Sequence, residues 1–87
     1  MDQNITILYF AWIKMELGKA SEKIVLPPNV GDVASLAGHL STKGSPYADI
    51  FAERDKIWVA VNQNRAEWGQ PVHAGDEVAF FPPVTGG

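Results

Sequence analysis

A chain of 87 residues can bury one modest hydrophobic core but is too small to enclose a substrate in a catalytic architecture of its own. Its composition, 46% hydrophobic and 20% charged, is that of an ordinary folded domain, and 7 basic against 10 acidic residues give a net charge of -3 that argues against a nucleic-acid or anionic-membrane surface. Cysteine is absent, which excludes a disulfide framework, a thiolate metal site and a cysteine nucleophile.

The N-terminus offers Asp2 in place of a basic stretch, with no cleavage-site pattern after it. The longest apolar run, residues 7–13, is about a third of the length needed to span a bilayer. A cytoplasmic protein with no membrane association is expected. Residues 4–11, NITILYFA, predict the first strand, with Ile5, Ile7 and Tyr9 on one face and Leu8 and Phe10 on the other. Apolar side chains on both faces mark a central strand. The following WIKMELGK carries good helix formers and closes at Gly18, which predicts a short helical turn leading into a second strand, EKIVLP. Pro27 and Pro28 end that strand, because neither can donate to a ladder.

Asn29 stands where an N-cap is expected, with Asp32 three residues on, near the positive end of a helix dipole. Val33, Leu36, Ala37 and Leu40 then recur at i, i+3, i+4 and i+7, the stripe of a helix lying on a sheet. Gly38 weakens this helix by about 1 kcal/mol relative to alanine, and its lack of a side chain predicts a close approach to the sheet. Gly44 to Pro46 stop it. YADIF predicts a further helical turn, and IWVAV, from Ile57, a third strand. Between Asn62 and Gly75 the punctuation leaves room for a short strand near RAEW, and GDEVAFF predicts a turn at Gly75–Asp76 before a last strand ending at Phe81. The order β-β-α-β-β, with hairpins at both ends, predicts an α+β fold: a β-grasp, ubiquitin-like roll with a mixed sheet and one main helix on one face, over residues 1–81. Residues 82–87 form an extended C-terminal tail.

Candidate catalytic groups are few. His39 and His73 share no metal-ligand spacing and read as solvated or hydrogen-bonded histidines, so no metal is expected. Asp49, Glu53 and Asp55 read as a solvated face. No serine sits in a nucleophile elbow and the glycines match no phosphate loop. Trp12, Trp58 and Trp68 read as core or hairpin packing. The tail, FFPPVTGG, is different. Pro82 and Pro83 favour an extended polyproline course, and the six residues from Pro82 reach about 20 Å. Gly86 and Gly87 add no side-chain bulk, so a terminal carboxylate can be threaded through a narrow channel and adenylated into an acyl donor. A carrier loaded at its C-terminus needs no thiol.

ILYFAWIK at 7–14, AVNQ at 60–63 and GDEVAFFPPVTGG at 75–87 together resemble the small, sulfur-carrying subunits of molybdopterin synthase. The resemblance implies a non-catalytic carrier with no bound cofactor. An E1-like adenylyltransferase uses ATP to activate Gly87, a sulfur donor protein converts it to a thiocarboxylate, and the tail delivers sulfur to cyclic pyranopterin monophosphate in the large subunit of a heterotetramer of two small and two large subunits. It implies that Gly87 is the modified group and Gly86 its slender neighbour. Phe10 and Phe81 fall on positions where similar proteins place aromatics against their partners, although ordinary core packing is the alternative for both. Lys14 stands where arginine is expected, and Arg65 where an apolar contact is common. Pro82, Pro83, Val84 and Thr85 complete the partner-binding set. Three other readings stay open: a sulfur carrier for thiamine or another pathway, a ubiquitin-like protein modifier, and an interaction domain whose tail docks as a peptide.

Overall fold

A computed structural model describes residues 3–84. Along the chain run β1 (Asn4–Tyr9), α1 (Ala11–Leu17), β2 (Ser21–Val25), α2 (Val33–Ser41), α3 (Tyr47–Phe51), a 3-10 turn (Arg54–Lys56), β3 (Trp58–Val61), β4 (Asn64–Ala66) and β5 (Glu77–Phe81). The strands form one mixed sheet in the order β2-β1-β5-β3-β4, with β1 parallel to β5 and the other neighbours antiparallel. This is the β-grasp roll that the sequence predicts.

An antiparallel hairpin stands at the C-terminal end, as expected. The hairpin at this end joins β3 to β4, and β5 leaves β4 to lie between β1 and β3. The physical reason is in β5 itself, where Val78, Ala79 and Phe80 are buried in succession. Val78 and Phe80 are held in the core, and Ala79 is flanked by Leu8 and Ala60 of the adjacent strands, the position of a central strand. The β3–β4 turn is Asn62-Gln63, both with positive φ (51° and 70°), the backbone that matches hairpin twist and that glycine or asparagine usually supplies.

Three local expectations are corrected. The first strand stops at Tyr9, and α1 is a seven-residue helix. Its closure is as predicted, with Gly18 at φ 74° and its N–H donating to the Lys14 carbonyl at 2.9 Å. The N-cap of α2 is Asp32 instead of Asn29: Asp32 accepts from the Ser35 N–H at 2.8 Å, and Ser35 Oγ accepts from the Asp32 N–H at 3.1 Å. Asn29 lies in the turn closed by the Val30 N–H on the Pro27 carbonyl. Serine at N3 completes a capping box, and the Ser35 side-chain and backbone hydrogen bonds hold the Asp32 carboxyl below its ordinary range. Gly38 faces solvent, and a methyl group built there meets nothing within 4 Å. It makes no close approach to the sheet.

The first N–H groups of α2 lack intrahelical partners, and the long 67–75 segment supplies them. Val33 donates to the Gln70 carbonyl at 3.0 Å and Ala34 to that of Trp68 at 2.8 Å. The loop is thereby fixed across the helix start. Beneath it, the buried stripe of α2 meets Ile5, Ile7 and Tyr9 of β1, Val59 and Val61 of β3, and Val78 and Phe80 of β5. Phe80 is fully buried, edge-on to Phe51 at 4.9 Å and stacked between Trp68 at 6.1 Å and Tyr9 at 6.3 Å.

A polar clamp closes the β1–β2 end. Glu22 Oε2 accepts from the hydroxyls of Tyr9 at 2.6 Å and Tyr47 at 2.8 Å, with the ammonium groups of Lys43 and Lys19 at 3.6 and 3.7 Å from Oε1. Partial burial of Glu22 opposes its ionisation, but the two tyrosine hydroxyls and then the two lysines outweigh it, and its carboxyl titrates below the ordinary value. Replacing Glu22 by alanine strands the Tyr9 hydroxyl, in a residue only 1% exposed, and is expected to cost about 1–3 kcal/mol. The pH dependence has a definite sign. A depressed folded-state pKa gives stability that is complete above the unfolded value and lost as pH falls through the folded one. Wild type therefore loses this contribution below about pH 4, whereas Glu22→Gln has no such carboxyl to titrate. Denaturant titrations at neutral and acid pH are expected to show a steeper decline for wild type than for Glu22→Gln.

Candidate functional site

Alternation along the strands separates what is buried from what is presented. Val78 and Phe80 turn toward the helices, so Ala79 and Phe81 fall on the opposite face of the sheet. Register extends that open face sideways: Leu8 and Ala60 flank Ala79, Trp58 lies opposite Phe81, and Arg65 lies opposite Ala60. The two alanines leave a low floor between larger side chains.

Phe10 joins this face from the end of β1. Its backbone remains extended (φ -125°, ψ 155°) and its N–H donates to the Phe80 carbonyl at 3.1 Å. The chain then reverses at Ala11, with φ 53°. For alanine this left-handed conformation costs about 1–2 kcal/mol. It ends the extended course just after Phe10, which shares the outward face of Leu8, and the ring is 47% exposed. Beyond β5, Pro82 and Pro83 are half-buried and Val84 is 66% exposed. Phe10, Ala79, Phe81, Pro82, Pro83 and Val84 line one open apolar groove at the root of the tail. None of the six carries a titratable side chain. A groove of this composition suits contact with another apolar surface.

Five of the expected partner-contacting residues, Phe10, Phe81, Pro82, Pro83 and Val84, thus come together. Neither aromatic belongs to the buried core cluster, so core packing is not the role of either. Lys14 is exposed on α1 and lies outside the groove lining. Arg65 is on the same face of the sheet but two strands away from β5, stacked over Trp58 with its guanidinium carbon 4.2 Å from the ring centroid. Thr85, Gly86 and Gly87 lie outside the described residues.

Trp58 is the residue that sequence reasoning placed incompletely. Trp12 and Trp68 pack against the core as expected, whereas half-buried Trp58 stands on the open face. The signal was available in the alternation of IWVAV. Once Val59 and Val61 point inward, Trp58 and Ala60 must point outward.

A second concavity, beside the β3–β4 turn, is polar, and several of its groups bond one another. Asn62 Nδ2 donates to Asp76 Oδ1 at 3.1 Å, the His73 N–H to Asp76 Oδ2 at 2.8 Å, and the Glu77 N–H to Asn62 Oδ1 at 3.0 Å. These bonds fasten the approach to β5. Among the described residues no group of three or more His, Cys, Asp or Glu could hold a metal ion, and no helix is long and apolar enough to cross a membrane.

A model of the ThiS family matches residues 7–87. The chain is 36% identical to the molybdopterin synthase sulfur carrier subunit of Haemophilus influenzae, over 95% of this chain and 99% of that one, and 35% identical with the same coverage to the protein of that name from Escherichia coli. Among solved structures it is similar to small archaeal modifier protein 1 of Haloferax volcanii, at 27% identity and a TM-score of 0.73, covering 97% of this chain and 99% of that one.

Proposed function

The chain belongs to the ThiS family, and we propose that it is the sulfur carrier subunit of a molybdopterin synthase, acting in the cytoplasm with Gly87 as the group that carries sulfur. An E1-like adenylyltransferase joins the Gly87 carboxylate to the AMP moiety of ATP and releases pyrophosphate. A sulfur donor protein displaces AMP and leaves a thiocarboxylate. The tail then enters the large subunit, its sulfur bonds to cyclic pyranopterin monophosphate, and water cleaves the acyl–sulfur bond, which leaves the sulfur on the pterin and restores the carboxylate. Formation of one dithiolene needs two such deliveries, which suits a heterotetramer of two small and two large subunits. The carrier holds no cofactor and contributes no catalytic side chain.

The observation that carries this reading is the apolar groove at the root of the tail. The same groove fits both docking events, because the activating enzyme and the large subunit must each grip the domain while admitting the residues beyond it. Intact-mass measurement after incubation with the activating enzyme, ATP and a sulfur source is expected to show one oxygen replaced by sulfur at Gly87. An unchanged mass with an active enzyme overturns the proposal.

The likeness to an archaeal modifier protein favours one second reading, in which the activated glycine forms isopeptide bonds with lysines of other proteins. Thiol-resistant conjugates of this chain in cell extracts would support it. A mutant strain lacking the molybdopterin sulfur carrier, restored by this chain without conjugates, would exclude it.

A further inference from the structure

Resting on the docking role of the open face, we infer that Arg65 is a carboxylate anchor: the partner surface that covers the Phe10–Phe81 groove carries an acidic side chain placed to meet its guanidinium. Three observations hold this group in a defined place. Its guanidinium carbon lies over the Trp58 ring, 4.2 Å from the centroid. Trp58 is in turn set against Phe81 by strand register, so the charge lies beyond Phe81 on the same face of the sheet as the groove. Nη1 donates to the Ala66 carbonyl at 2.9 Å, which fixes rotation about the end of the side chain.

The remaining donors, Nε and Nη2, have no partner among the described residues, and the side chain is 44% exposed. The nearby Glu67 carboxylate does not satisfy them. It lies 3.9 Å from Nη1 and is 89% exposed, where water screens such a pair strongly. A guanidinium already held over an aromatic ring and hydrogen-bonded at Nη1 loses little freedom when it binds, and its free edge matches a carboxylate with two parallel hydrogen bonds. Arginine stacked on tryptophan next to exposed phenylalanine is also the composition of protein interface anchors. A net charge of -3 and a guanidinium held over Trp58 favour a protein carboxylate over nucleic acid. The structural alternative is that Arg65 only shields Trp58 from water at a sheet edge, where charged residues also discourage strand pairing.

Affinity for the large synthase subunit of the same organism, measured by calorimetry from about 50 mM to about 500 mM NaCl, separates the two, because screening lengths shrink severalfold over that range. Wild type is expected to weaken about tenfold across the titration. Arg65→Gln should bind about tenfold more weakly at low salt, with a flatter salt dependence. Arg65→Lys should recover the salt dependence but only part of the affinity, since a lysine gives charge without the planar fork. Wild-type affinity and an unchanged salt slope in Arg65→Gln overturn this inference alone. Failure of wild type to bind the large subunit at any salt overturns the carrier reading, and the anchor with it.

Discussion

Deleting Gly87, or adding one residue after it, is expected to abolish sulfur loading and transfer while leaving folding and partner docking as in wild type. The last ladder pairing is made by β5, which ends at Phe81, and the apolar groove is lined only as far as Val84. Neither change removes a described core contact or a groove residue. What changes is where the reacting carbon lies. One added residue displaces it by about 3.3 Å, and misplacement of about 1 Å at a reacting centre can already cost a hundredfold in rate. Gly87→Ala tests bulk separately, because it keeps the carboxylate in register but adds a methyl group to the adjoining Cα. Loading of this variant is expected to slow at least tenfold. Intact mass for loading, thermal unfolding for the fold and calorimetry for docking distinguish these effects. Normal loading of the extended chain would overturn Gly87 as the carrier group.

The legible part of this protein was the part set by side-chain period and turn chemistry. Period 2 along NITILYFA and IWVAV located β1 and β3, and period 3.6 from Val33 located the buried stripe of α2. The αL closure at Gly18 was also readable, because few other residues take that backbone cheaply. Errors arose where two residues could serve the same local role. Asn29 and Asp32 are both good N-caps, and the choice fell to whichever had a reciprocal partner three residues on; Ser35 supplied it. The pairing of β5 was hidden because strand order depends on which faces are covered across the whole sheet, and that is a tertiary property. In the candidate site, the tail root was readable from GDEVAFFPPVTGG, but the Arg65–Trp58 stack was not. It requires a diagonal contact between β3 and β4, whose register the Asn62-Gln63 turn decides.

Phe80 and Phe81 are neighbours in sequence, yet their replacement by alanine is expected to damage different properties. Phe80 is 0% exposed, surrounded by the rings of Tyr9, Phe51 and Trp68. Its truncation is expected to cost about 3–5 kcal/mol, a large fraction of the roughly 5–15 kcal/mol that holds a small domain folded. Phe81 faces the other way, half-buried at the edge of the groove and opposite Trp58. Loss of that cross-strand pair should cost no more than about 1 kcal/mol of stability. Its loss from a partner interface is another matter: an aromatic at the centre of a docked surface contributes about 2 kcal/mol or more, equivalent to roughly thirtyfold in affinity. Denaturant unfolding and large-subunit affinity, measured on both variants, are therefore expected to show opposite patterns. Phe80→Ala should unfold at much lower denaturant, but its folded fraction should bind normally. Phe81→Ala should unfold almost as wild type and bind weakly, and Phe10→Ala should resemble it. If Phe81→Ala and Phe10→Ala both bind as wild type, the docking surface lies elsewhere on the domain, because these two rings supply most of the groove's exposed aromatic area.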